Sequence, residues 1–461
     1  MCAWKETIPF RQLGQEHRSN VLSKPFLFAV FGQVCHPVLL IPCKGYTFMQ
    51  HVLSSSTDQW SDEFTLYSLT DPQIMANPYP WFEQLRSFGP VYLDETLGWV
   101  CTGFAEGEQI LKDEKRFAPI PLAPPDTEVA VLLQEQMLFL DTHTSSHRQI
   151  RTILSPRLLS KSKRDWRTTL RQEAEALLTP IKQQGHEEMD LVSEYAGVLP
   201  TLLSIELLGL QRSYLNQLMQ WNDAYGILLG LPCSDVEEAV MGMRQVISYL
   251  AQVVQERRGH LGEDLISDMI RGGMTDQQII ANCIVFLSGG YKTTTHVITM
   301  ALYWLRQEPD QLKLLREDPG LIHRAVKEVL RFDGSSQFLA RRAKVDVAIG
   351  EQVIAAGRVV FVLLPAANRD GRQFKDAEGV ANPHVFDICR PTSRHLGFSV
   401  GPHACLGGPL AENMSEVAVS LFLDMFPDYQ ISVPYEHLHW RMLHSNVRCL
   451  ESMPVRLKAS L

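Results

Sequence analysis

Residues 398–411 read Phe-Ser-Val-Gly-Pro-His-Ala-Cys-Leu-Gly-Gly-Pro-Leu-Ala, a cysteine among glycines that gives way at once to helical periodicity. Leu410, Ala411, Met414, Val417, Ala418 and Leu421 recur at spacings of three and four, which predicts a buried helix beginning just past Cys405. Pro409 suits its first turn, where a missing N–H is harmless. Gly401, Gly407 and Gly408 let the backbone take positive φ and approach a flat partner where a Cβ would clash. Free N–H groups and the positive dipole end of the helix favour an anionic sulfur, and such sites lower a cysteine's pKa. Two readings stand for Cys405: a metal-bound thiolate on a tight turn, or a small buried hydrophobe, the commoner fate of a free cysteine.

The whole string resembles the haem-ligand loop of the cytochrome P450 monooxygenases of the soluble bacterial type. In that loop Phe, Gly, His or Arg, Cys, Gly and a terminal Ala recur at these spacings. Phe398, Gly401, His403, Cys405, Gly407, Leu410 and Ala411 match, and His395-Leu396 precede them as in bacterial members. Ser399 departs, standing where the family usually has glycine. The resemblance implies a mainly α fold with a small β region, a triangular helical haem domain with accessory β-sheets. It also implies haem b as cofactor, Cys405 as the iron ligand, and Phe398, His403 and Gly407 against the haem. A thiolate on haem iron supplies electron density that favours O–O cleavage.

Composition allows this without demanding it. The chain has 461 residues, 45% hydrophobic and 21% charged, ordinary for a soluble globular protein. A net charge of -9 gives no electrostatic reason to expect nucleic-acid binding. The nine cysteines are odd in number, scattered and without a C-x-x-C pair, which argues for reduced thiols in a cytoplasm. Phe26 to Ile41 is apolar but interrupted by Gln33, His36 and Pro37, and it falls short of the ~20 residues that span a bilayer. No membrane anchor is expected. Residues 1–60 read as an N-terminal extension, with 1–48 dispensable and Met49 a candidate working start. Residues 61–461 read as one haem domain.

Most of the remainder reads as helix, without internal repeats. Asn77 to Arg86 and Gly89-Pro-Val-Tyr resemble the first helix and strand of the bacterial family, Trp99-Val-Cys-Thr continues a strand, and Ala105 to Leu111 reads as the next helix. Val345 to Ile349, Val353-Ile and Val359 to Leu364 alternate or run apolar around Gly350, which reads as a small sheet. Glu328 and Arg331 share one face of a helix over Ile322 to Phe332. Such a pair is usually solvated. In the family it is buried and held by a further arginine, matched by Arg390, which implies a structural trio that fixes the backbone carrying Cys405.

The resemblance also implies cationic contacts to the haem propionates. His147 and Arg151 match a helical His-x-x-x-Arg, although Asp141 to His147 runs two residues longer than the usual loop and leaves His143 a competing candidate. Arg341 and His403 match two further contacts.

A long apolar helix over Gln277 to Arg306 carries Gly289-Gly-Tyr-Lys-Thr-Thr294 in its middle. Glycines inside a helix cost ~1 kcal/mol each against alanine, so a close approach, a widened turn or a packing contact is the expected reason. The segment resembles the family's oxygen-binding groove, which gives Gly289 and Gly290 the opening over the iron and Thr293, beside Thr294, the hydroxyl that helps protonate bound oxygen. Lys292 stands where the family usually has an acid. An ammonium donates only and cannot shuttle protons as a carboxylate does. Either protons reach Thr293 by water or another acid, or the chain performs a nonstandard oxidation, such as coupling, desaturation or a peroxide-driven reaction.

The activity implied is insertion of one oxygen atom from O2 into a small, lipophilic, secondary-metabolite-like organic molecule. Nothing in the chain resembles a flavin or iron–sulfur domain, so electrons are expected from a ferredoxin and an NAD(P)H-dependent ferredoxin reductase. Arg148, Arg151, Arg157, Lys161, Lys163, Arg164 and Arg167 form a basic run that reads either as a solvated face or as the docking face for that acidic ferredoxin. A haem-based sensor without turnover is the alternative outside enzymes. The pocket roof is expected from Asp165 to Gly259, with Trp221 and Ile227 to Pro232.

Overall fold

Thr275 starts the longest helix with a reciprocal cap: its hydroxyl accepts from the Gln278 N–H at 3.2 Å, and the Gln278 side chain accepts from the Thr275 N–H at 3.0 Å. The helix then runs from Asp276 to Gln307. Its apolar residues are buried on most sides, as Cys283, Ile284, Leu287, Ile298, Met300, Leu302 and Leu305 show. A helix apolar all round must sit inside a bundle, and this one packs against Val198–Leu208, Leu215–Leu228, Val236–Gly259, Ile322–Phe332 and Gly408–Met425. Each buried leucine in that interior contributes about 1.5–3 kcal/mol.

The computed structural model describes residues 68–69, 71–95, 97–120, 145–158, 165–228, 236–391, 394–443 and 446–457. All of these belong to the compact unit Trp60–Leu461. The extension over 1–60, the apolar stretch Phe26 to Ile41, His143 and its loop, and Lys161, Lys163 and Arg164 lie outside the described residues.

The fold is mainly helical with small sheets at the periphery, as the sequence predicts. The largest sheet has five strands in the order Val91–Asp94, Gly98–Cys101, Val359–Leu363, Phe338–Ala343, Phe117–Pro119. Only Gly98–Cys101 and Val359–Leu363 run parallel within it. The Val345 to Leu364 region does not form one sheet. Val347–Ile349 and Gln352–Ile354 make a separate hairpin whose turn begins at Gly350, φ +57°, the left-handed geometry that tight hairpins require. Val345 lies outside any strand and is exposed.

A fully buried ion pair ties the two ends of the described chain. Arg448 meets Asp333 at 2.8 Å and donates to the carbonyls of Met75 and Ala76. Tyr79 and Trp304 donate to the same carboxylate at 2.6 and 3.0 Å, so the buried charge keeps its full complement of donors. His296 of the central helix reaches the Asp333 carbonyl at 2.7 Å. Among the described residues no helix is long and apolar enough to cross a membrane.

Candidate active site

The middle of the central helix forms one wall of a cavity of 420 Å³, through Val285, Phe286, Gly289, Gly290, Thr293, Thr294 and Val297. A Cβ added at Gly289 or Gly290 would meet nothing within 4 Å, and the helix stays α through both. Neither a packing contact nor a widened turn therefore explains the pair. The two glycines instead leave a bare strip of backbone facing the cavity. Thr293 donates its hydroxyl proton to the Gly289 carbonyl at 2.7 Å, which secures the rotamer and leaves its oxygen lone pairs available. Thr294 is buried and also lines the cavity.

The opposite wall is the cysteine loop, with Phe398, Ser399, His403, Cys405 and Gly407 all lining the same cavity. The Cys405 N–H donates to the Phe398 carbonyl at 2.8 Å, closing the loop on itself. Of the three glycines, Gly401 alone takes positive φ, +81°, and a Cβ there would stand 2.8 Å from the Lys112 Cα. Gly407 has φ −83° and precedes the helix Gly408–Met425, with Pro409 in its first turn. At Gly408 a Cβ would crowd the Phe398 ring at 3.2 Å, so glycine lets that ring sit close against the helix start. The backbone N–H groups of Gly407 and Gly408 donate to the Cys405 sulfur. Burial nevertheless outweighs these donors and the nearby Arg151, so the thiol's pKa is raised. That corrects the expectation of a lowered value: two amides and one guanidinium do not offset desolvation, and an anionic sulfur here needs a cation against it. The Cys405 side chain opens onto the cavity.

Four cationic or imidazole groups line the same cavity, Arg341, His147, Arg151 and His403. Arg341 is 6% exposed, its guanidinium donates among the described residues only to the Ala340 carbonyl at 2.9 Å, and burial pushes its pKa down to about 10. No carboxylate pairs with it among the described residues. His147 stacks on His403 with centroids 4.3 Å apart, and Arg151 donates to the Ala404 carbonyl at 2.9 Å. The helix Ser145–Leu158 brings His147 and Arg151 to the loop together, one turn apart.

The loop is held from behind by a saturated network. Glu328 accepts from Arg331 Nε and Nη2 at 2.8 and 2.7 Å, from Arg390 Nε at 3.2 Å and from the Asp387 N–H at 3.0 Å. Arg331 spends its remaining donors on the carbonyls of Asn368, Pro383 and Val385. Asn368 in turn accepts from the Leu396 N–H at 2.7 Å, two residues before Phe398. The helix Ile322–Phe332 thus pins the segment that runs into the cysteine loop.

Comparison with known proteins places this geometry. A family model described as Cytochrome P450 matches residues 207–427. The biotin biosynthesis cytochrome P450 of Bacillus subtilis is 30% identical over 403 residues, covering 84% of this chain and 98% of the relative. The chain belongs to the cytochrome P450 family. The 6-deoxyerythronolide B hydroxylase of Saccharopolyspora erythraea is 29% identical, covering 85% and 99%. Among solved structures, P450BioI in complex with acyl carrier protein ligated to hexadec-9Z-enoic acid superposes with a TM-score of 0.76 at 29% identity, covering 84% of this chain and 100% of that one. Epothilone B-bound P450epoK gives 0.75 at 27%, covering 86% and 100%.

As a P450, the protein is a monooxygenase whose cofactor is haem b. The residues present fit that group. The bare Gly289-Gly290 backbone admits a flat macrocycle where any side chain would project, and the buried Arg341 lacks the counter-charge that a propionate brings.

One predicted site residue does not join this P450 pocket. Lys292 points away from the cavity to Asp223 on Leu215–Leu228, Nζ to Oδ1 2.9 Å, and lies over the Tyr291 ring. Burial opposes its charge, but Tyr291 and Asp223 together hold its pKa above the usual value. The i−1 offset from Thr293 turns it about 100° round the helix. Trp221 is not roof either: it is buried, donates to Gln245 at 3.1 Å and lies against Tyr249. Roof residues come from Val198–Leu208, namely Pro200, Leu203, Ser204 and Leu207. Nearly the whole helix is buried, so its leucines gave no periodic signal to tell cavity from core. The basic run also divides. Arg151 faces the cavity, Arg157 is tied to Asp268 at 2.5 Å and Arg167 to Glu416 at 2.7 Å, while Arg148 stays largely exposed beside Glu114.

Proposed function

We propose that Cys405 is the axial iron ligand of a haem-thiolate monooxygenase that inserts one oxygen atom of O2 into a lipophilic, secondary-metabolite-like molecule. The observation that carries this is one cavity with the Cys405 sulfur, under two amide donors, on one wall and the Gly289-Gly290 strip on the other. Bound haem supplies the oxygen-activating chemistry, with its potential and ligation set by the protein. Around it, Arg341, His147, Arg151 and His403 bind the propionates, and Phe398 and Gly407 hold the cysteine side. The Thr293 oxygen, its proton committed to the Gly289 carbonyl, accepts a hydrogen bond from water and so orders the water that delivers protons into the cavity, with Thr294 and Gly290 shaping that groove. Leu203, Leu207, Val285 and Phe286 exclude bulk water and orient the apolar substrate.

Lys292, engaged with Asp223, takes no direct part in proton transfer, which favours ordinary oxygen insertion over a peroxide-driven or coupling reaction. Electrons come from a ferredoxin and its NAD(P)H-dependent reductase, docking where Arg148 and its neighbours face solvent on the helix that also carries Arg151. A cytoplasmic location, a single haem domain over 61–461 and a dispensable extension over 1–60 belong to the same proposal.

Cys405→Ala tests it: the reduced protein loses the red-shifted carbon monoxide band, and a band that survives overturns the assignment. Product formation with ferredoxin, reductase and NAD(P)H separates an enzyme from a sensor.

A further inference from the structure

Ser399 combines two unfavourable features in one residue. It is the only non-glycine among the described residues with positive φ, +56°. Its hydroxyl oxygen is also buried and has no hydrogen-bond partner among the described residues, and the residue lines the cavity that holds Cys405. A Cβ in the left-handed region is strained against the next carbonyl, and a buried hydroxyl without a partner forfeits its hydration. Neither is forced by chain connectivity, since glycine would remove both.

The backbone entering the residue is held by two hydrogen bonds. The Ser399 N–H donates to the Leu396 carbonyl at 2.8 Å, and the preceding carbonyl, of Phe398, accepts from the Cys405 N–H at 2.8 Å. The peptide geometry is therefore set by the loop, and the side chain has only its rotamer to choose. Strain held in place by the surrounding loop, at a site, points to a role for the group that is strained. A lone hydroxyl facing a cavity is satisfied only by what fills that cavity.

We propose that Ser399 is a positioning residue whose hydroxyl donates a hydrogen bond to an anionic acceptor of the bound haem group, from the cysteine side. This rests on the reading of Cys405 as the axial ligand. Two acceptors share the chemistry, the thiolate sulfur and a propionate oxygen. A donor to either strengthens haem retention, but only a donor to the sulfur changes the axial ligand itself and so moves the carbon monoxide band together with the reduction potential.

Two variants of the haem-loaded protein test this. Ser399→Ala removes the hydroxyl and keeps the Cβ, whereas Ser399→Gly removes both and relieves the backbone, so it keeps the experiment informative if the alanine variant is poorly made. Haem transfer to excess apomyoglobin is followed in the ferric state. Both variants are expected to release haem about tenfold faster than wild type, the equivalent of about 1.4 kcal/mol for one charge-assisted hydrogen bond. A fall in reduction potential with a shifted carbon monoxide band identifies the sulfur as acceptor. Faster release with an unmoved band identifies a propionate. Wild-type release rates in both variants overturn the proposal. In that case a retained red-shifted band shows that cysteine ligation stands and the serine role alone has failed, while absence of the band in wild type would remove the ligation reading itself.

Discussion

Replacing Glu328 by glutamine changes one atom and almost no volume, yet the structure makes it a severe perturbation. The carboxylate is 4% exposed and faces Arg331 and Arg390, each 2% exposed. Four N–H donors converge on its two oxygens, three of them from the guanidinium groups and one from Asp387. An amide keeps one acceptor and turns two donors toward a guanidinium, leaving two buried cations without a counter-charge. Removing one member of a buried pair costs about 3–5 kcal/mol, a large part of the ~5–15 kcal/mol that holds a typical domain together. The control is Glu317→Gln, which breaks the Lys313–Glu317 pair at 3.9 Å, with side chains 74% and 61% exposed. Such exposed pairs contribute about 0–1 kcal/mol. Urea unfolding followed by circular dichroism, with Soret absorbance per polypeptide read in parallel, compares the two. Glu328→Gln should unfold at clearly lower urea and carry less haem, while Glu317→Gln should overlay wild type. Equal midpoints and equal haem content for the two variants would refute the argument that burial gives this pair its weight.

Arg341→Met should speed haem loss by tenfold or more, since a hydrogen bond to a charged group is worth about 1.5–3 kcal/mol; haem transfer kinetics measure it, and an unchanged rate excludes a propionate contact. His296 is fully buried and burial pushes its pKa down to about 4, below its unfolded value of about 6.5. The unfolded chain therefore binds the extra proton first, so this contribution is complete above pH 6.5 and lost as pH falls from there toward 4. His296→Gln should flatten that part of the stability–pH curve, and an unchanged slope would show that the imidazole is not the group responsible. Lys292→Glu places a second carboxylate against Asp223, so it should lower stability by a few tenths to 1 kcal/mol without improving coupling of NAD(P)H use to product. The double variant Lys292→Glu, Asp223→Lys should recover the loss in thermal unfolding, and failure to recover would show that the pair does not interact.

Much of this was legible in the chain because glycines, prolines and charge pairs carry local information. The helix after the cysteine and the trio of Glu328, Arg331 and Arg390 read correctly from spacing and resemblance, whereas in the cysteine loop only Gly401 of the three glycines takes the positive φ expected. The partner of Lys292 did not, because Asp223 lies on a different helix and ion pairs between helices leave no trace in sequence spacing. Ser399 was visible as a departure, but its left-handed backbone depends on two hydrogen bonds that only the closed loop makes. The roof falls inside the expected span Asp165 to Gly259, on Pro200 to Leu207, but Trp221 was singled out wrongly, because an amphipathic aromatic and a cavity-lining leucine look alike until something is packed against one of them. Residues 229–232 lie outside the described residues. The raised pKa of Cys405 likewise escaped local reasoning, since desolvation is a property of the whole fold.

The hydrogen-bond count at Arg331 has a consequence for how this site tolerates change. Its five N–H donors serve five recorded contacts: both oxygens of Glu328 and the carbonyls of Asn368, Pro383 and Val385. A lysine offers three donors from a single point and cannot reach in three directions at once. No spare bond remains that could be surrendered while another side chain is tried, so this position can be changed only together with the three backbone segments it holds. The roof helix carries no comparable obligation. Substrate preference is thus free to drift over Pro200 to Leu207 while the support beneath the cysteine stays fixed, and the two can be engineered separately.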